Sequence, residues 1–192
     1  MQGGLPSQAQ PRSIPAAFFN TPALIRRAGR AGCLAVAFEK HLLVDGANLL
    51  HAWPELRALL KRDREAARSQ LVRRLGAVHD AEQMRVTLVF DGRGEELTVE
   101  RPSGHVTFSV LHTPSSLTAD DVIEQLVGKA ADASLCYVAT GDQAERQTIE
   151  AAGAVWVPPA DLAAWLARAE TRIASGVAGL NRDNQRKWDR HE

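Results

Sequence analysis

The sequence has few cysteines, few aromatic residues and no long apolar segment. The two cysteines, Cys33 and Cys136, form no CxxC pair and no Cys/His cluster, so we expect neither a disulfide framework nor a zinc site. Reduced cysteines fit a cytoplasmic protein. The longest apolar runs, such as residues 33–38, are far too short to span a membrane. Aromatic residues make up 5% of the chain, which is too few for a protein that grips single strands mainly by base stacking.

The chain also lacks an excess of either charge, because 23 Lys and Arg side chains balance 23 Asp and Glu side chains. This balance excludes a protein that coats nucleic acid through a uniformly basic surface. The charges are unevenly distributed, however. Residues 1–38 contain four arginines and no acid, whereas residues 39–175 contain 15 basic and 20 acidic side chains. We therefore expect an acidic folded body in which much of the excess negative charge lies where a divalent cation would neutralise it.

The composition divides the chain into three parts. We interpret residues 1–38 as a flexible basic leader, residues 39–175 as one folded domain, and residues 176–192 as a loose tail. A transit peptide, a flexible leader and a start codon assigned too far upstream all fit the first segment. Its presence in the mature protein is therefore open.

From residue 41 onward, short apolar runs alternate with longer helical patterns, which predicts an α/β sandwich with a mainly parallel sheet. We expect strands at residues 41–44, 85–90, 134–140 and 154–157, and an edge strand at residues 105–110. We expect helices near Pro54, over residues 63–80 with Asp63 as N-cap, after Thr118, after Asp142, and from Pro159.

Aspartates occupy equivalent positions along this predicted sheet. Asp45, Asp91 and Asp142 each follow a strand, and Asp120 lies in the first turn of a helix that should begin at the same edge. Because the carboxyl ends of parallel strands share one edge, the four carboxylates should converge. Any one of them alone is explained as a helix cap or turn former. Four together favour a Mg²⁺ or Mn²⁺ site, since oxygen ligands without His or Cys suit these ions.

Several common motifs for phosphate or hydrolytic chemistry are missing. The sequence has no GxxxxGK[ST] motif, no GxGxxG after the first strand and no GxSxG. A P-loop, a dinucleotide fold and a Ser-His-Asp hydrolase of the elbow type are therefore not expected.

The aspartates lie in a series of short motifs that follow one another over residues 40–173. These motifs are Val44-Asp45-Gly46-Ala47-Asn48-Leu49-Leu50, Ala52-Trp53-Pro54-Glu55-Leu56, Glu65-Ala66-Ala67-Arg68, Val89-Phe90-Asp91, Thr118-Ala119-Asp120-Asp121 and Thr140-Gly141-Asp142-Gln143-Ala144-Glu145. In this order they resemble the YacP-like subgroup of the NYN domain family, relatives of PIN-domain nucleases. The resemblance implies a PIN-like three-layer sandwich and a Mg²⁺-dependent endoribonuclease, in a subgroup associated with translating ribosomes and messenger cleavage.

The resemblance also implies roles for individual residues. The catalytic set would be Asp45, Asn48, Asp91, Asp120, Thr140 and Asp142, with Thr140 orienting its neighbours. We expect Asp45, Asp120 and Asp142 to hold one or two metal ions that activate a water at an RNA phosphate. The chain departs from the family pattern at Gly141, where serine is usual, and in an acid-containing loop after Asp91.

Basic residues close to the first aspartate motif are candidates for binding the substrate. Arg57, Lys61, Arg64 and Arg68 would form one stripe if the helix were unbroken at Asp63, although most basic residues here fit the solvated face of a helix. The predicted substrate is RNA, specifically single-stranded mRNA, with the ribosome as a further partner. A non-catalytic RNA-binding or ribosome-binding adaptor and a hydrolase of small phosphate esters are the alternatives.

Overall fold

A computed structural model describes residues 38–188 of the chain, with side chains described up to residue 178. The predicted leader therefore lies outside the described residues except for Phe38, as do residues 189–192 of the predicted tail. The strands are β1 (His41–Asp45), β2 (Arg85–Gly94), β3 (Thr98–Glu100), β4 (Phe108–Pro114), β5 (Cys136–Ala139) and β6 (Val155–Val157). The helices are α1 (Gly46–Ala52), α2 (Pro54–Leu60), α3 (Arg64–Glu82), α4 (Ala119–Gly128), α5 (Gln143–Ala151) and α6 (Pro159–Trp188), and a 3-10 helix precedes β5 at Ala133–Leu135.

The six strands form one sheet in the order β3-β4-β2-β1-β5-β6. Every neighbouring pair is parallel except β3 and β4, which are antiparallel. One face of the sheet packs on α3 and α6 through a core that includes Leu71, Leu75 and Leu166. The other face packs on α4 and α5 through Val122 and Ile149. The predicted three-layer α/β sandwich with a mainly parallel sheet is confirmed.

The sheet differs from the prediction on the β2 side. The sequence predicts an edge strand at residues 105–110, but β4 begins at Phe108, lies between β3 and β2, and is buried along most of its length. The edge strand is β3, inside a segment predicted as a loop. Strand β2 does not stop at Asp91 but continues to Gly94 with a shift of register after Phe90. A side chain at Gly92 would collide with the carbonyl oxygen of Thr113, so glycine allows these two strands to remain paired.

The helix starts follow the local sequence. Asp63 caps α3 by accepting a hydrogen bond from the Ala66 N–H at 2.9 Å. Thr118 and Asp121 form a reciprocal capping box at the start of α4, which is a common way to satisfy the free N–H groups of a first turn. The break between α2 and α3 at Asp63 means that Arg57 and Lys61 do not share one continuous helix with Arg64 and Arg68.

The last helix is longer than the sequence predicts. A loose tail is predicted from Gly176, whereas α6 continues to Trp188. Leu162, Leu166 and Ala169 on this helix are buried, and Ile173 is 37% exposed, so the apolar side of the helix leaves the core toward its C-terminal end. Within residues 38–188, no helix combines the length and the apolar character that crossing a membrane requires.

Candidate metal centre

Three carboxylates from different elements meet at the carboxyl-terminal edge of the sheet. Asp45 is the last residue of β1, Asp120 lies in the first turn of α4, and Glu145 lies in the first turn of α5. One carboxylate oxygen from each lies within 4.8 Å of the others. Asp45 and Glu145 are buried, with 8% and 5% of their surface exposed, and Asp120 is half-buried. The topology thus brings together acids that are up to 100 positions apart in the chain.

Burial and mutual repulsion make these carboxylates hold protons more tightly than usual. Burial raises the pKa of Asp45 to about 6, and the charges of Asp120 and Asp91 add to this rise while the Asn48 N–H opposes it. Burial raises the pKa of Glu145 to about 7, with further contributions from Asp120 and Asp45. The pKa of Asp120 is raised by burial first and then by the neighbouring acids. A divalent cation would relieve both causes at once.

Glu145 is buried, yet its carboxylate lacks a hydrogen-bonding partner in the part of the chain that the structure describes. Neither of its carboxylate oxygens has a hydrogen-bonding partner among the described residues. The Thr140 hydroxyl lies close enough to oppose the rise in the pKa of Glu145, but it makes no hydrogen bond of ordinary geometry with the carboxylate. A buried carboxylate without a partner is costly. The residues present therefore fit an oxygen-bound divalent cation, since such an ion would supply the missing partner.

Asp91 and Asp142 lie beside the cluster and serve as caps. The Asp91 carboxylate accepts a hydrogen bond from the Ala119 N–H at 2.8 Å and so connects β2 to the start of α4. The Asp142 carboxylate accepts one from the Ala144 N–H at 2.8 Å as the N-cap of α5. Both side chains belong to exposed residues. Their charges still raise the pKa of Asp120, with Asp142 the larger of the two.

Asn48 and Thr140 hold the backbone around the cluster. The Asn48 side-chain oxygen accepts a hydrogen bond from the Gly141 N–H at 2.8 Å. The buried Thr140 hydroxyl accepts one from the Asp142 N–H at 3.1 Å. The Asp45 carboxylate accepts one from the Asn48 N–H at 3.0 Å. These three bonds fix α1 and the loop before α5 relative to Asp45.

Two of the four predicted basic residues line cavities next to this edge. Arg64 and Arg68 border a cavity of about 370 Å³ and a neighbouring one of about 420 Å³. Arg57 and Lys61 are exposed and border neither of them. The condition for a four-residue stripe, an unbroken helix at Asp63, is not met, because α2 ends at Leu60 and α3 begins at Arg64.

Glu145 was not among the candidates that the sequence suggested. It occupies the third position of the helix capped by Asp142, where an acid is an ordinary helix-start residue. The sequence offered one indication of a role for Glu145, its spacing from Asp142, because a residue three positions after the cap lies on the same helix turn as the cap. Its burial could not be inferred from that spacing.

The chain is similar to known proteins over most of its length. The family described as the YacP-like NYN domain matches residues 42–192. The chain is 32% identical over 137 residues to the uncharacterized protein YacP of Bacillus subtilis (strain 168), covering 71% of this chain and 80% of that protein.

Two crystal structures of Rae1 (YacP) from Bacillus subtilis are also similar in fold. One matches with a TM-score of 0.62 at 29% identity over 76% of this chain and 83% of that one. A mutant form matches with a TM-score of 0.60 at 29% identity, and the match covers 74% of this chain and 84% of that one. The family match over residues 42–192 and the 32% identity to YacP show that this chain belongs to the YacP-like NYN domain family.

Proposed function

We propose that this protein is an endoribonuclease that hydrolyses RNA phosphodiester bonds with the help of bound Mg²⁺ or Mn²⁺. The observation that supports this proposal most directly is the cluster of Asp45, Asp120 and Glu145, whose oxygens lie within 4.8 Å of one another. A cluster of buried like charges is unfavourable for folding by itself. Its presence in a member of a nuclease-like family is best explained by a cation that the cluster holds.

In this proposal the metal ligands are Asp45, Asp120 and Glu145. Asp142 was predicted from the sequence as the third ligand, and it remains a candidate for a second ion because its charge acts on Asp120. A bound divalent cation would supply an activated water and would neutralise charge on the phosphate.

The other residues position this cluster. Asn48 holds Asp45 through its backbone N–H and the loop before α5 through its side chain. Asp91 holds the first turn of α4, which bears Asp120. Thr140 orients the backbone of Asp142, which in turn caps the helix that bears Glu145. In this way each ligand is supported by a hydrogen bond to the element that presents it.

The more specific parts of the proposal concern the substrate and its setting. We propose RNA, in particular single-stranded mRNA, as the substrate, with the ribosome as a partner and the cytoplasm as the compartment. The support for messenger and ribosome is the family resemblance, and the support for RNA includes the arginine-lined cavities beside the acids. Oxygen ligands favour Mg²⁺ or Mn²⁺ over zinc.

The decisive experiment measures cleavage of single-stranded RNA and of a generic phosphate ester, each with and without Mg²⁺ or Mn²⁺. We expect metal-dependent cleavage of RNA only. Asp45→Asn and Asp120→Asn should abolish it, whereas Asp161→Asn, which removes an exposed acid at the start of α6, should leave it intact.

Each alternative gives a different result in the same experiment. An adaptor would bind RNA and cleave neither substrate, and a small phosphoesterase would cleave only the generic ester. Full activity in both aspartate variants would contradict the proposed centre.

A further inference from the structure

Two adjoining cavities lie on the α3 side of the sheet edge, and they share Arg64, Arg68 and Asp91. The first cavity is bordered by α1 and by the end of α2 and has a volume of about 370 Å³. The second, of about 420 Å³, is bordered by β2, β3 and β4. Both volumes lie within the range of roughly 300–1,000 Å³ that is typical of ligand sites. Together they form a groove that leads to the edge of the sheet at Asp91.

Arg68 is held in this groove by an aromatic ring rather than by an acid. Its guanidinium carbon lies 4.6 Å from the centroid of the Phe90 ring. The Phe90 ring also stacks with the His112 ring, at 5.8 Å between centroids. A guanidinium stacked in this way keeps its orientation with little loss of its hydrogen-bonding capacity.

The two arginines have unused hydrogen-bonding capacity. The Nε atom of Arg68 is buried and has no hydrogen-bonding partner. Neither Arg64 nor Arg68 forms an ion pair with another side chain of residues 38–178. Burial lowers the pKa of Arg68, the charge of Arg64 adds to this, and the charges of Glu65 and Glu100 oppose it. Two neighbouring cations that are not ion-paired to an acid among these side chains constitute an anion-binding arrangement.

The arginines and the carboxylates lie on opposite faces of the sheet. Phe90 belongs to the core that β2 forms with α3, and the next residue, Asp91, contacts the start of α4 on the other face. Successive residues of a strand point to opposite faces, so Arg68 and Asp120 are separated by the edge of β2. We therefore expect the arginine pair and the carboxylate cluster to contact different phosphates.

We propose that Arg64 and Arg68 bind a phosphate of the RNA strand other than the one that is cleaved, so that the strand crosses the sheet edge over Asp91. This inference rests on the proposed function and adds to it a requirement for RNA that extends beyond the cleaved bond on the α3 side. The guanidinium fork of Arg68 suits a phosphate because it can donate two parallel hydrogen bonds. Contacts of this kind position the strand and do not depend on its sequence.

The experiment measures binding of the full-length protein to a fluorescent oligouridine of about 12 nucleotides, without divalent ions, across a series of salt concentrations. The variants are Arg64→Gln, Arg68→Gln and Arg68→Lys. The control is Arg73→Gln, which removes the same charge from an exposed position on the same helix. Thermal unfolding of each variant checks that it is folded, and Arg64→Gln, at an exposed position, serves as the test if Arg68→Gln does not fold.

We expect Arg68→Gln to weaken binding by about tenfold, since a lost charged hydrogen bond has about this effect. Arg64→Gln should weaken it less, and Arg68→Lys should fall between Arg68→Gln and the wild type. Each lost phosphate contact should reduce the slope of log affinity against log salt by about 0.7. The control should match the wild type. Equal binding by the Arg64, Arg68 and Arg73 variants, or no binding of oligouridine by the wild type, would overturn the inference.

This result is separable from the proposed activity because binding is measured without cleavage. If the wild type cleaves RNA but the arginine variants bind like the control, only the inference fails. If the wild type cleaves no RNA but the arginine variants lose binding, the phosphate site is supported and the proposed nuclease activity fails.

Discussion

The side-chain oxygen of Asn48 accepts a hydrogen bond from the backbone N–H of Gly141 at 2.8 Å, although the two residues are 93 positions apart. Asn48 lies in α1, directly after the strand that ends at Asp45, and Gly141 precedes the helix that bears Glu145. This one bond therefore joins the segments that present two of the three clustered carboxylates. Glycine suits position 141 because a Cβ there would lie 2.8 Å from the same Asn48 oxygen.

Replacing Asn48 by alanine should reduce activity more than stability. The loss of one partly exposed hydrogen bond should lower the free energy of unfolding by about 1 kcal/mol, while the loop before α5 loses its fixed distance from Asp45. The measurements are urea unfolding and Mg²⁺-dependent cleavage of RNA. An alanine variant with full cleavage activity would contradict a positioning role for Asn48.

Replacing Gly141 by alanine should be costly only while Asn48 is present. The added Cβ displaces the Asn48 amide, so we expect a loss of about 1 kcal/mol in the wild-type background and a much smaller loss in Asn48→Ala. A double-mutant cycle based on urea unfolding measures this coupling. Equal losses in the two backgrounds would show that Gly141 is required for another reason, such as its contact with Pro159.

The sequence indicates most of the fold because the apolar periodicity and the helix caps agree with each other. Asp63 was predicted as a helix cap, and the start of a helix after Thr118 was predicted, from side chains and spacing alone. The bounds of the strands near β2 were harder to predict, because Asp91-Gly92 is a pair of residues typical of a turn. In the structure this pair lies within a strand, since Gly92 permits close approach of Thr113. Alternation around Val110 is typical of an edge strand, but whether a further strand covers it depends on tertiary pairing.

The candidate site was predictable only as far as each aspartate follows a strand or begins a helix. Topology then places Asp45 and Asp120 together, as parallel strands require. Glu145 was not predicted as a site residue, because an acid in the first turn of a helix is already explained by its local role there. Its burial against Asp45 depends on how α5 packs, which no local pattern encodes.

The pKa of Asp45 predicts a pH-dependent effect of Asp45→Asn on stability. Burial raises this pKa from 3.8 to about 6, so between these values the folded state binds more protons than the unfolded state and loses stability as the pH rises. Replacing Asp45 by asparagine removes this loss of stability, because asparagine does not titrate. The free energy of unfolding of Asp45→Asn relative to wild type should therefore increase by about 2–3 kcal/mol from acidic to neutral pH without divalent ions.

The comparison of variant with wild type is needed because another buried group titrates in the opposite direction. Burial lowers the pKa of His41 to about 3, so its contribution to stability increases as the pH rises through the acidic range. This contribution is present in both proteins and cancels in their difference. Urea unfolding of both at a series of pH values is the measurement, and a difference that does not change with pH would contradict the raised pKa of Asp45.

Glu145→Gln should stabilise the protein without metal and remove most of its stabilisation by metal. The buried carboxylate has no hydrogen-bonding partner, so replacing its charge removes an unfavourable burial, and the melting temperature without divalent ions should rise. The wild type should gain about 2.7 kcal/mol when Mg²⁺ or Mn²⁺ is at about 100 times its dissociation constant, because the ion binds only the folded state. The variant should gain much less, since one of three ligands is lost.

Glu150→Gln is the matched control: it lies on the same helix, is exposed and contacts Arg146 in an ion pair, which contributes less than about 1 kcal/mol. Thermal unfolding with and without each ion, in the absence of RNA, measures these differences independently of catalysis. An equal metal-induced shift in Glu145→Gln and wild type would remove Glu145 from the ligand set and leave Asp142, the ligand expected from the sequence, as the third carboxylate to test.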